Sequence, residues 1–204
     1  MATYPELNLL IDGVWRKSSD GATLAVINPA TEDTLDELPA SSVADLDEAL
    51  ASSAKGFKVW RAMSPYERGR ILVDASRLVR ERTEEIAVAV TLENGKPLAE
   101  ARAEVGTVVD IIEYSAEQGK RIHGRIVEGR APGTTHFVTH DPVGPVLAIT
   151  PWNFPINTVS KKVGPALAAG CSVIVKASNE TPASAILLAQ ALMDAGLPSG
   201  VVNV

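Results

Sequence analysis

Residues 143–155 read "VGPVLAITPWNFP". An apolar run from Val146 to Ile149 stops in a tight segment where Pro151 and Pro155 bracket Trp152, Asn153 and Phe154. A short continuous apolar run bounded by turn residues fits a strand buried on both faces, as in a parallel sheet. Downstream, "FPINTVSKKVGPALAAG" reads as a helical link with an internal proline, and "CSVIVKAS" as a second apolar run. "TPASAILLAQALMDAGLPSG" is a helix, with Thr181 as its expected N-cap, Pro182 at the first position and Gly196 as C-cap. "VVNV" then begins a third strand. Strand, helix, strand, helix, strand implies an α/β fold with a parallel sheet and right-handed crossovers.

Upstream the texture differs. "NLLIDGVW" and "TLAVINP" read as short strands, with turns at Asp12-Gly13 and Asp20-Gly21. A helix starting at Ser42 repeats Val43, Leu46, Ala49 and Leu50 at helical spacing. Pro65 opens a second, "PYERGRILVDASRLVRERTEEIAVAVTLE", with Ile71, Leu72, Ala75, Leu78 and Val79 on one face. Asn94-Gly95 breaks it, and after Pro97 another helix runs to about Ile122. Between Gly124 and Asp141, glycine turns and the alternation around Phe137 and Val138 suggest a β-hairpin arm. Such a segment is either a subunit contact or a plain surface loop.

With 46% apolar and 22% charged residues, the 204-residue chain has a globular composition able to form a core. A net charge of −6 argues against a nucleic-acid partner, which needs basic surface to displace counterions. The single cysteine, Cys171, has no internal disulfide partner and reads as a small buried hydrophobe at the start of the second strand. His123, His136 and His140 lie in or beside the arm with no spacing that suggests a metal. No leader-like start and no membrane-length apolar stretch is seen, so a reducing, cytoplasmic setting without a membrane partner is expected.

In an open parallel sheet, ligands bind beyond the carboxyl ends of the strands. Two segments lie there, "TPWNFP" and "KASNETP", and both face one crevice. Neither strand is followed by G-x-G-x-x-G or a Walker A motif. Lys176 could bond ribose hydroxyls or neutralise a phosphate, or simply snorkel from the strand end. Asn153 offers a preorganised uncharged N–H donor of the kind a developing oxyanion needs, or caps its own turn.

"ITPWNFP", "KKVGPALAAGCSVIVKAS" and "GLPSGVVNV", with "TLENGKPLAEARAEV" upstream in the same order, closely resemble the aldehyde dehydrogenase family over nearly the whole chain. "EQGKRIHG" and "TLENGKPLAEA" most resemble its succinate-semialdehyde branch. The resemblance implies an N-terminal strand and helical layer over 1–123, a β-arm for oligomerisation over 124–141, and an incomplete Rossmann-like parallel sheet over 142–204. It implies oxidation of a small aldehyde, foremost succinate semialdehyde, with NADP or NAD, in a homo-oligomer, dimer or tetramer.

By the same resemblance Asn153 is the oxyanion-hole residue and Lys162 a relay lysine. Thr150, Pro151, Trp152, Asn153, Lys176, Ser178 and Asn179 would contact the cofactor. Asn179 stands where many members carry a glutamate that crowds a 2′-phosphate, which favours NADP. Lys161 stands where the succinate-semialdehyde branch carries arginine, and keeps the charge without the bidentate fork. The family's nucleophilic cysteine, general-base glutamate and catalytic domain have no counterpart in these residues. The 204-residue chain is therefore expected to be inactive alone and, with an open sheet edge, to associate. The rival reading is a non-catalytic nucleotide- or subunit-binding remnant.

Overall fold

The computed structural model describes residues 4–204. Two antiparallel hairpins come first: β1 (Leu9–Ile11) with β2 (Val14–Arg16), and β3 (Thr23–Ile27) with β4 (Thr34–Pro39). Four helices follow: α1 (Val43–Ala62), α2 (Pro65–Glu81), α3 (Thr83–Asn94) and α4 (Leu98–Gly119). The arm segment is a hairpin of β5 (Arg125–Glu128) and β6 (Thr135–Val138). The remainder alternates β7 (Val146–Ile149), α5 (Pro155–Ala169), β8 (Val173–Lys176), α6 (Pro182–Asp194) and β9 (Val202–Asn203). These three strands form one parallel sheet in the order β7-β8-β9, as the alternation required.

The outer side of β9 is not open. Leu10 and Val204 exchange two backbone hydrogen bonds of 3.0 Å, so the N-terminal hairpin extends the sheet there. The core runs between the sheet helices and the helical layer. Leu72, Val79, Ile86, Val105, Ile112, Leu167 and Leu188 are all buried in it. Trp60 is fully buried and donates its indole N–H to the Leu167 carbonyl at 2.8 Å, which ties α1 to the end of α5.

Several expectations need correction. The helix read as continuous from Pro65 to Glu93 is two, broken at Arg82 (φ −97°, ψ 16°). There the Thr83 hydroxyl donates to the Arg80 carbonyl at 2.7 Å, a local bond that competes with the helical ladder. α4 ends at Gly119, short of Ile122. Gly95 ends α3 in the left-handed conformation (φ 81°), as Asn94-Gly95 suggested. Gly196 is also left-handed (φ 89°), but one place beyond the α6 C-cap, Ala195.

β7 is not buried on both faces. Ala148 is enclosed beneath α5, but Leu147 and Ile149 are 61% and 62% exposed. They share the opposite face by strand alternation. α1 packs over β8 and β9 on that side and leaves them uncovered.

The apolar stripe of α1 is also turned outward: Val43, Leu46 and Leu50 are exposed and only Ala49 is buried. The inward face carries Asp45, Ser52, Ser53, Gly56 and Trp60 instead. Small residues let the helix backbone come close to the sheet. The Ser53 and Ser172 hydroxyls meet at 2.9 Å, and Ser172 also donates to the Ser53 carbonyl at 2.8 Å. Burial alone would raise the Asp45 carboxyl. The backbone N–H groups of Ser42 and Ser19 and the hydroxyls of Ser42 and Ser18 outweigh it and hold Asp45 well below the usual carboxylate range.

Candidate functional site

The carboxyl ends of β7 and β8 are adjacent. Ile149 is in register with Lys176, and the Thr150 N–H donates to the Lys176 carbonyl at 3.1 Å. Two loops leave from this point. One, residues 150–154, carries buried Thr150 and then exposed Pro151, Trp152, Asn153 and Phe154. The other, residues 177–181, carries Ser178 and Asn179. Lys176 donates from Nζ to Asn179 Oδ1 at 3.0 Å, and the Ser178 hydroxyl donates to Glu180 at 2.6 Å. That hydroxyl holds the Glu180 carboxyl below its ordinary value.

A cleft of about 330 Å³ lies beside Lys176, Ser178 and Asn179, and its facing wall includes Leu24, Leu38 and Pro39. A second crevice of about 390 Å³ opens between Trp152 on one loop and Glu180 and Thr181 on the other. Thr150, Lys176, Ser178 and Asn179 thus share one edge, with Trp152 and Asn153 in the neighbouring loop. Lys161 and Lys162 are exposed on α5, about 10 Å along its axis from its first residue. The structure records no hydrogen bond between them and Asn153.

Neither crossover helix caps itself: α5 and α6 both lack a side-chain cap bond of their own. Thr181 does stand at the N-cap of α6, but its hydroxyl is buried without a partner among the described residues. Glu93, at the end of α3, takes over that role. It accepts from the Ala183 N–H at 2.9 Å, the Ser184 N–H at 3.0 Å, the Ser184 hydroxyl, and the Tyr4 hydroxyl at 2.8 Å. Glu104 on α4 does the same for α5, accepting from the N–H groups of Ile156 at 3.2 Å and Asn157 at 3.0 Å. Each carboxylate satisfies orphan amides and meets the positive end of a helix dipole. These amides are already occupied, which accords with a sequence that has no phosphate-cradling glycine loop.

The same corner of the chain grips the Asn153 loop. The Asn94 side chain donates to the Trp152 carbonyl at 2.8 Å. Lys96 donates to the Asn153 carbonyl at 3.1 Å, pairs with the second oxygen of Glu104, and lies 4.5 Å over the Phe154 ring. Sequence reasoning gave Glu93, Lys96 and Glu104 no role and read Asn94 only as part of the helix break. A signal was present for the two acids. Glu93 continues the buried stripe of Ile86 and Val90, and Glu104 lies between buried Ala101 and Val105. A carboxylate in an apolar register needs partners.

Glu93 makes a pH prediction. Burial pushes its carboxyl up to about 7, against the pull of its four donors. The neutral acid is therefore favoured in the fold relative to the unfolded chain. The stability linked to this proton is full below pH about 4.5 and is lost as pH rises through about 7. Denaturant unfolding between pH 5 and 8 should show this decline, and Glu93→Gln should remove it. A Glu93 carboxyl that titrates by NMR near 4.5 contradicts the prediction.

Comparison with known proteins adds a family. The aldehyde dehydrogenase family profile matches residues 15–204. The chain is 40% identical to the succinate-semialdehyde dehydrogenase [NADP(+)] GabD of Escherichia coli K12, over 96% of this chain and 40% of the relative. It is 39% identical to the 3-sulfolactaldehyde dehydrogenase of Pseudomonas putida, over 95% of this chain and 40% of that one. Among solved structures, an aldehyde dehydrogenase from Brucella melitensis biovar abortus 2308 superposes with a TM-score of 0.97 at 39% identity, over all of this chain and 43% of the other. The chain thus spans about two fifths of the length of the proteins it matches.

Proposed function

The chain belongs to the aldehyde dehydrogenase family, and on that premise we propose that it is the N-terminal, cofactor-binding part of an NAD(P)-dependent enzyme. Its substrate is a small aldehyde with an anionic far end, succinate semialdehyde foremost, which it converts to the carboxylic acid. The observation that carries this reading is the meeting of the Asn153 loop and Lys176 at the carboxyl ends of two parallel strands. The two relatives named above act, by their names, on aldehydes whose other end bears a carboxylate or a sulfonate.

The residues fit a dinucleotide. Lys176, Ser178 and Asn179 offer polar groups at the mouth of the 330 Å³ cleft, and Leu24, Leu38 and Pro39 offer an apolar wall for a flat base. Lys176 and Ser178 would hold its ribose and phosphate oxygens. When bound, the dinucleotide supplies the acceptor for the hydride that the aldehyde loses. Asn153 donates its amide N–H to the aldehyde oxygen as negative charge develops there. Trp152 and Phe154, both more than half exposed, offer apolar walls beside it that limit water. Lys162 serves as a proton relay, and Lys161 attracts the far carboxylate as a point charge. Cys171 is buried before the start of β8, at the end of the sheet away from Asn153. This reading therefore assigns the nucleophilic cysteine and the general-base glutamate to residues outside these 204. The β5–β6 hairpin is the arm through which subunits pair in a homo-oligomer.

The test is aldehyde-dependent reduction of NADP and NAD by the complete gene product, with succinate semialdehyde and with neutral aldehydes of equal length. Faster turnover of the acidic aldehyde with NADP is expected. Asn179→Glu should move the preference at least tenfold toward NAD, because a carboxylate repels the 2′-phosphate. The 204-residue chain alone should show no turnover. Nucleotide binding by the complete product without any aldehyde oxidation would replace this reading with that of a binding remnant.

A further inference from the structure

We propose that Asn94 and Lys96 are positioning residues for Asn153, a role that rests on the reading of Asn153 as the oxyanion donor. Asn153 lies between two peptide planes. The carbonyl of the preceding plane, Trp152, accepts from Asn94 at 2.8 Å, and the carbonyl of the following plane, its own, accepts from Lys96 at 3.1 Å. With both planes held, φ and ψ of Asn153 are held, and so is the direction in which its side chain leaves the backbone. The exposed amide is then left with only its own side-chain rotations about χ1 and χ2.

The two anchors are themselves rigid. Lys96 is mostly buried, paired with Glu104 and laid over Phe154. Glu104 is fixed in turn by the first amides of α5, two residues beyond the loop it helps to hold. Asn94 ends α3, where Gly95 turns the chain toward Lys96. The neighbouring Glu93 holds the start of α6, after the loop that carries Ser178 and Asn179. One corner between α3 and α4 thus sets the position of both loops at the candidate site. The loop carries Pro151 and runs into Pro155 at the start of α5, but it is exposed at four successive residues, so local chemistry alone leaves it free to move.

The experiment uses NMR and kinetics, both on the complete gene product. In Asn94→Ala the order parameter of the Asn153 backbone amide should fall from about 0.85 to below 0.6, with amides in α2 and α6 unchanged. Lys96→Arg, which keeps a donor and a charge, should preserve it, and Lys96→Met should not. Lys96→Met leaves Glu104 buried without its cation and risks misfolding, so Asn94→Ala carries the test independently. In turnover, Asn94→Ala should lower kcat about tenfold with little change in KM. That loss should vanish when Asn153 is already alanine, as expected for a residue that acts only through Asn153. An unchanged order parameter in Asn94→Ala overturns the positioning role. If Asn153→Ala alone leaves kcat unchanged, the oxyanion reading fails, whatever the order parameters show.

Discussion

Asn153→Ala should lower kcat of the complete gene product by about 10²–10³-fold, or roughly 3–4 kcal/mol of transition-state stabilisation, and move KM little. The aldehyde oxygen carries little charge in the ground state and gains it only as the carbonyl carbon is attacked. A donor aimed at that oxygen therefore acts mainly on the transition state. The size of the effect depends on preorganisation. Asn153 is exposed, yet its backbone is tied on both sides by Asn94 and Lys96, so little backbone motion is left to remove during reaction. Asn153→Asp should be at least as damaging, because a carboxylate has no N–H and repels the developing charge. Steady-state kinetics with a saturating dinucleotide measures both. A loss confined to KM would mean that Asn153 binds substrate without assisting chemistry.

The second large effect concerns stability. Gly56→Ala should cost about 3 kcal/mol or more. A Cβ at Gly56 would stand 2.2 Å from the carbonyl carbon of Gly200 and 2.5 Å from the Val201 nitrogen. Those are backbone atoms and cannot rotate away, so α1 must lift from the turn that leads into β9. Gly200 is equally constrained: it has φ 77°, and a Cβ there would lie 2.7 Å from the Ser52 carbonyl oxygen. The proper control is Gly106→Ala, an exposed position in α4 where a Cβ meets nothing within 4 Å. That change should stabilise by about 0.5–1 kcal/mol through helix propensity. Denaturant midpoints of the two variants should move in opposite directions. Equal midpoints would show that α1 is not held as closely as the packing indicates.

Much of the architecture was legible in the chain. The strand-helix-strand-helix-strand order, the hairpin beyond Gly124 and the burial of Cys171 all rest on local pattern, and the fold follows them. The expectations that failed depended on neighbours. The α1 stripe of Val43, Leu46 and Leu50 has helical spacing, but spacing does not say which face meets the sheet. Close backbone approach selected the serine and glycine face. Thr181 has the right chemistry for a cap, yet Glu93, eighty-eight positions earlier, takes the Ala183 and Ser184 amides instead.

The candidate site divides along the same line. Its outer residues, from Thr150 to Asn153 and from Lys176 to Asn179, follow strand ends and could be read in order along the chain. The residues that hold them, Glu93, Asn94, Lys96 and Glu104, could not. Their partners lie some fifty to ninety positions away, and hydrogen bonds over such separations have no local signature. Sequence by itself determined the order of the elements and which residues stand at the strand ends, because both depend on near neighbours. Tertiary structure alone decided which helix face is buried and what fixes the two loops. Those depend on which distant carboxylates and amides are brought together, out of water, where each must find its partner.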